Sequence, residues 1–160
     1  MEHHLPYRLD MVYYFNGNWS MLRQGFDEVA TNGAEYYIGN EAIYQLTSRA
    51  SYILRIDMWT DEETYEYAEY DGFALSDEAN NYTLTLTNYR GGSAGPGGMV
   101  TYHSGRQFRT TDRDSADLCA EQYESGWWYM ERTDIIYEVW GGKSAMKIDI
   151  VQLLSVASTT

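Results

Sequence analysis

Three carboxylates fall within the run Asp112-Arg113-Asp114-Ser115-Ala116-Asp117. Closely spaced hard oxygen donors on a loop suit calcium, which makes Asp112, Asp114 and Asp117 candidate metal ligands. The same run also reads as a solvated acidic turn with Arg113 offsetting its neighbours. A second cluster is aromatic: Trp127, Trp128, Tyr129, Tyr137 and Trp140 offer flat apolar rings with polar tips, able to stack on a sugar or hold a peptide. Catalytic chemistry finds little. His103 is the only histidine outside the terminal pair His3-His4, and Cys119 has no cationic neighbour in sequence to lower its pKa. Glu62-Glu63 is the kind of carboxylate pair that so acidic a chain produces by chance. The residue inventory favours binding over catalysis.

The elements that would carry these residues begin with two short helices. Asn18 can cap one that places Trp19, Leu22 and Phe26 on a common face. Asn40 can cap another over Glu41 to Thr47, with Ile43 and Leu46 on the buried side. From Tyr52 the period becomes two: Tyr52, Leu54, Ile56 and Met58 alternate with Ile53, Arg55, Asp57 and Trp59, which predicts a strand with one dry face. Asp61-Glu62-Glu63 supplies a hairpin turn, and Thr64 to Tyr70 returns with tyrosines that can pair across the strands. Tyr82 to Tyr89 predicts a further strand, with Leu84 and Leu86 inward. The Gly-Gly-Ser-Ala-Gly-Pro-Gly-Gly segment between Arg90 and Met99 lacks the lysine and following helix of a phosphate cradle and predicts a surface loop too poor in side chains to pack. Ala145 to Val151 alternates again as a closing strand.

At 160 residues the chain is the length of one domain. Eleven Lys plus Arg against 24 Asp plus Glu give a net charge of -13, which repels polyanions and excludes nucleic acid as a ligand class. No stretch approaches the apolar length of a membrane span, and Met1 to Pro6 shows no signal-peptide pattern. One cysteine permits no intrachain disulfide. Two sequons, Asn18-Trp19-Ser20 and Asn81-Tyr82-Thr83, would accept glycans in a secreted chain.

Several segments in order carry a family pattern: Trp19 with Gln24-Gly25-Phe26, Tyr37-Ile38-Gly39-Asn40-Glu41-Ala42-Ile43, Ala68-Glu69-Tyr70-Asp71-Gly72-Phe73, Tyr102-His103-Ser104-Gly105, Cys119-Ala120-Glu121-Gln122-Tyr123 and Gly126-Trp127-Trp128-Tyr129. The chain resembles the fibrinogen C-terminal-like (fibrinogen-related) domain family over about Trp19 to Tyr129 and again at Met146-Lys147-Ile148. The resemblance implies an α+β fold, a twisted and mainly antiparallel sheet with short helices packed on it. It implies that the family's N-terminal subdomain and most of its ligand-pocket subdomain are missing here. It divides the chain into an extension over 1–17, one shortened domain over 18–153 and a tail over 154–160.

The family's cysteine before Ala-Glu-Gln bonds to one after the double tryptophan; here that stretch reads Met130-Glu131-Arg132-Thr133, so the resemblance leaves Cys119 without its partner. Family calcium ligands are the carboxylate matching Asp114 and one two residues on, where this chain has Ala116, with Asp117 as a shifted substitute. Ficolin- and tachylectin-type members bind acetylated sugars. By resemblance the chain is an extracellular, non-catalytic module binding a glycan or protein surface, with Trp127 and Trp128 in the core; the exposed aromatics Tyr137 and Trp140, in the segment that departs from the family, and Tyr129 are the expected contacts. The alternative is a structural subunit that binds copies of itself, with Val151-Gln152-Leu153-Leu154 adding to a neighbour's sheet.

Overall fold

The computed structural model describes residues 17–30, 33–60, 65–130 and 145–155. Asn18 sits in extended backbone and its Oδ1 accepts the Met21 N–H at 2.9 Å, which starts α1 (Trp19–Gln24) and turns Trp19 and Leu22 into the core. Phe26 is not on this helix. Gly25, at φ 86°, ends α1, and the chain enters β1 (Phe26–Ala30), which pairs antiparallel with β2 (Gly33–Tyr37). In α2 (Asn40–Thr47) the expected cap is also different: Gly39 occupies the cap position, while Asn40 is buried and accepts the Tyr37 hydroxyl through Oδ1. A buried carboxamide beside a buried phenol satisfies both groups, and that pairing outweighs a solvent-facing cap.

The main sheet is antiparallel, ordered β5 (Leu84–Thr85), β4 (Tyr65–Leu75), β3 (Tyr52–Thr60) and β7 (Ala145–Ser155), with β6 (Asn88–Gly91) also paired to β4. Tyr52, Leu54 and Ile56 of β3 are buried in the core as predicted, but the opposite face is not fully open, since Ile53 and Asp57 are buried too. The helix α2 is tied to the sheet where Thr47 Oγ1 accepts the Leu75 N–H at 3.2 Å. The single strand expected over Tyr82 to Tyr89 is broken into β5 and β6. Backbone groups that would extend it are taken by a neighbouring segment: Leu84 N–H donates to Arg106, Gly105 N–H donates to Leu84, and Ser104 Oγ bonds both polar groups of Leu86. Leu84 and Leu86 are nonetheless both buried, as their alternation predicts. The closing strand runs through Ser155, past residue 153, and Leu153 and Leu154 pair with Leu54 and Ile53 of β3. On that side the Val151 to Leu154 segment belongs to the chain's own sheet.

The glycine-rich segment is a loop, but it is anchored. Ser93 Oγ accepts the Tyr67 N–H, Ala94 N–H donates to the Tyr67 carbonyl, and Pro96 O accepts the Tyr70 hydroxyl at 3.0 Å. Its glycines let backbone lie against backbone where a side chain would intervene. Beyond it, Met99–His103 forms a π-helical turn and Cys119–Tyr123 forms α3, neither announced by a clear period.

Trp127, Trp128, Tyr129, Phe108 and His103 are all buried. Phe108 meets Trp128 edge-on at 4.9 Å between centroids, and Trp128 Nε1 donates to the Tyr82 carbonyl at 2.8 Å. His103 Nδ1 lies 2.9 Å from the Trp128 carbonyl. A carbonyl only accepts, so Nδ1 carries the proton and Nε2 is bare; Nε2 and Trp127 Nε1 have no hydrogen-bond partner among the described residues. Burial pushes the His103 pKa below its usual 6.5, against the opposing pull of the Trp128 bond, and Arg106 pushes the same way as burial. The folded state therefore binds its proton less readily than the unfolded chain. Stability from this group is complete above about pH 6.5 and is lost as pH falls below that value, until the folded pKa is passed. Melting temperatures at pH 7.5 and 5.5 are expected to fall further in the native chain than in His103→Gln; equal falls would show that His103 is not the group involved.

Candidate recognition site

On the face of β3 and β4 opposite the core, alternation brings Arg55 and Asp57 beside Tyr65, Tyr67 and Glu69. Arg55 is held from four sides. Its Nε donates to Asp57 at 3.0 Å, Nη1 to Glu69 at 2.8 Å and Nη2 to the Tyr65 hydroxyl at 2.7 Å, while the guanidinium lies 4.0 Å over the Tyr67 ring. Tyr65 in turn donates its hydroxyl to Asp57, and the Tyr65 and Tyr67 rings stack at 6.4 Å. Burial opposes the Arg55 charge, but the bonds from Tyr65, Glu69 and Asp57 hold its pKa above the usual arginine value. Burial and the bond to Asp57 keep the Tyr65 phenol protonated. Arg90 extends the network, reaching Glu69 at 3.7 Å and Asp71 at 3.1 Å.

Tyr65 is 45% exposed. A tyrosine whose ring is presented while its hydroxyl is pinned loses little rotamer freedom when a partner covers it. Tyrosine and arginine are also the side chains that most often dominate binding energy at protein contacts. The alternation of Ile53, Arg55, Asp57 and Trp59 placed these polar groups on one face, yet nothing in the sequence alone marked Arg55 as the hub.

The acidic turn is built differently from a calcium loop. Asp112 Oδ1 accepts the Trp19 N–H at 2.9 Å and the Thr110 hydroxyl at 2.6 Å, and despite the raising effect of burial these bonds hold its carboxyl below the usual range. Asp114 accepts the Ser115 N–H through one oxygen and the Glu121 N–H through the other, both at 2.9 Å. Asp117 pairs with Arg109 at 3.1 Å and accepts the Ser115 hydroxyl. The expected ligand trio of Asp112, Asp114 and Asp117 is thus dispersed among protein donors. Among the described residues, no group of three His, Cys, Asp or Glu side chains is arranged to hold a metal ion. Asp114 serves the first turn of α3 in place of a cap. Asp114→Ala is expected to lower stability by about 1 kcal/mol, by the same amount with calcium or with a chelator present; a loss seen only with calcium would restore the metal reading.

Arg113 offsets its neighbour Asp112, its charge helping to lower that carboxyl's pKa, while its guanidinium lies 4.2 Å over the Trp19 ring. That ring also stacks on Tyr82 at 5.6 Å and donates its indole N–H to Glu78 at 2.9 Å. An open polar groove of about 240 Å³ runs beside it, with Phe108, Gln107 and Asn81 on its walls.

The predicted contact Tyr129 has no exposed surface; its ring stacks on Tyr123 at 5.8 Å and its hydroxyl donates to the Ser125 carbonyl at 2.7 Å. It is a core residue, not a contact, because a ring flanked by the double tryptophan is drawn in with it. Trp127 and Trp128 are buried, as expected. Tyr137 and Trp140 lie outside the described residues. Cys119 is buried, with its Sγ 3.5 Å from Asp117 Oδ2.

A model of the family described as the C-terminal globular domain of fibrinogen beta and gamma chains matches residues 4–144. The chain belongs to the fibrinogen C-terminal domain family. Its fibrinogen-like sheet with short helices is the fold that the resemblance implied. Bovine angiopoietin-4 is 37% identical over 118 residues, 72% of this chain and 23% of that protein. Human angiopoietin-related protein 1 is 37% identical over 127 residues, 76% of this chain and 24% of the relative. Mouse fibrinogen alpha chain is 38% identical over 136 residues, 76% of this chain and 17% of the relative. The chain therefore spans at most about a quarter of the length of these relatives.

Among solved structures, lamprey fibrin D-dimer complexed with the peptide ligand Gly-His-Arg-Pro-amide superposes with a TM-score of 0.78 at 28% identity, covering 98% of this chain and 62% of that one. The fibrinogen-like globe domain of human ANGPTL6 gives 0.75 at 28% identity, covering 99% of this chain and 79% of that one. No helix among the described residues is long and apolar enough to cross a membrane.

Proposed function

We propose that this fibrinogen-like chain is an extracellular, non-catalytic module that binds a cationic peptide or protein surface through the Tyr65–Tyr67–Arg55 face of its sheet. The observation that carries the reading is that face: an exposed aromatic ring fixed by a half-buried charge network, on a chain of net charge -13. A negative surface draws in a positive partner and speeds its encounter. Family membership supports a protein ligand, since the lamprey fibrin relative is seen with a basic peptide. It also supports an extracellular setting, where fibrinogen and angiopoietin relatives act. A non-catalytic role accords with His103, sealed in the core against any substrate. On sequence grounds Tyr137 and Trp140 are proposed as further contacts within the same single shortened domain.

Calorimetric titration with Gly-His-Arg-Pro-amide tests the reading. Saturable binding that weakens with salt is expected, and Tyr65→Ala with Tyr67→Ala is expected to weaken it about tenfold, near 1.4 kcal/mol. Absence of binding would remove the reading. Binding unaffected by that pair but lost in Tyr137→Ala with Trp140→Ala would move the site to the latter residues.

A further inference from the structure

The two sequons lie outside the Tyr65–Tyr67–Arg55 face, and the fold treats them differently. Asn18 and Ser20 are both exposed. The Asn18 carboxamide is already oriented: Oδ1 faces the Met21 N–H, which turns Nδ2 to the opposite side, where no described residue hydrogen-bonds it. Asn81 is half-buried in left-handed backbone at φ 53°, its carbonyl accepts the Phe108 N–H at 2.9 Å, and the next residue, Tyr82, has no exposed surface.

We propose that Asn18 is a site of N-linked glycosylation. An asparagine followed at the second position by serine is the acceptor pattern, and it is read in the secretory pathway, so the inference rests on the extracellular part of the reading above. The donor is a lipid-pyrophosphate-linked oligosaccharide. Nδ2 forms a bond to the anomeric carbon of the first sugar, the bond from that carbon to the pyrophosphate oxygen breaks, and Nδ2 gives up one proton as the lipid pyrophosphate leaves. Oxidation states are unchanged. Oδ1 takes no part, so the bond that holds Met21 N–H survives the modification, and the sugar extends from the exposed side of the amide. At Asn81 the same substituent would have to leave a half-buried position against the groove beside Trp19 and Phe108.

The test is to express the full chain behind a cleavable secretion signal in cultured animal cells. The product is then released with a peptide-N-glycosidase in heavy-oxygen water and its peptides are mapped by mass spectrometry. The expected result is heavy Asp at position 18, with the gel shift from Asn18 abolished in both Ser20→Ala and Asn18→Asp. Asn18→Asp keeps an oxygen for Met21 N–H, so loss of the glycan is separated from loss of the fold. Unmodified Asn18 in the secreted chain overturns the proposal, whether or not Asn81 is labelled. A glycan at Asn18 on a chain that fails the peptide titration leaves this site standing and removes only the recognition reading.

Discussion

Gly39→Ala is expected to leave little folded protein. Gly39 sits at φ 97°, and a Cβ there would lie 2.6 Å from the carbonyl carbon of Gln24 and the amide nitrogen of Gly25. Gly25, at φ 86°, is the other side of the same crossing, and its Cβ would lie 2.6 Å from the Ile38 carbonyl oxygen. Both obstacles are backbone, so no side chain can rotate out of the way. The left-handed conformation alone costs an alanine roughly 1–2 kcal/mol. The overlap adds a displacement of α1 against the segment entering α2, and the sum approaches the roughly 5–15 kcal/mol that holds a domain together. Gly95→Ala is the control. It shares a positive φ of 82° but has no atom within 4 Å of the new carbon, so it should lose only the conformational part. Denaturant midpoints separate the two. If Gly39→Ala melts no earlier than Gly95→Ala, the crossing is not as tight as it stands here.

Trp128→Ala is expected to lose about 3–5 kcal/mol from the emptied ring volume, and about 1–3 kcal/mol more because the Tyr82 carbonyl loses its donor. The ring is 4% exposed and wedged between Phe108 and Trp127, so water cannot readily repair the gap. Phenylalanine isolates the two contributions. Trp128→Phe keeps most of the apolar volume but drops the 2.8 Å bond to Tyr82, whereas Trp127→Phe removes an indole N–H that has no partner among the described residues. The former should therefore cost more than the latter, although both rings are buried. Urea unfolding followed by far-UV circular dichroism gives the comparison, and equal losses would mean that the Trp128 bond contributes nothing.

The parts of the fold that were legible in the sequence are those whose side chains repeat. Tyr52, Leu54 and Ile56 announced β3, and Leu84 and Leu86 announced their burial even though the strand around them is split. The hairpin of β1 and β2 was not legible: Phe26-Asp27-Glu28-Val29-Ala30 has neither a helical nor an alternating period, and its pairing depends on the turn away from α1 at Gly25. Asn40 reads as a cap because asparagine so often is one; only the fold brings the Tyr37 hydroxyl to it. The candidate site failed in the sequence for a related reason. A run of aspartates shows how many oxygens are present but not which amides have claimed them, and here Trp19, Ser115 and Glu121 supply the N–H groups. Arg55 had the opposite fault, an unremarked residue whose four partners are assembled only by strand register.

The register of β3 also sets the tempo of assembly. This strand pairs with β4 through a short hairpin but takes its other neighbour, β7, from residues 145–155, and Trp19 waits for Asp112 to anchor its amide. Pairings so distant along the chain require most of the closure entropy to be spent before they return any stabilisation, which places such a topology among the slower folders. During synthesis, one flank of β3 stays open until residues beyond 145 have left the ribosome. In that interval its unpaired N–H and C=O groups can be met by any other extended chain, so the nascent protein is most vulnerable to misassociation after β4 has formed and before β7 arrives.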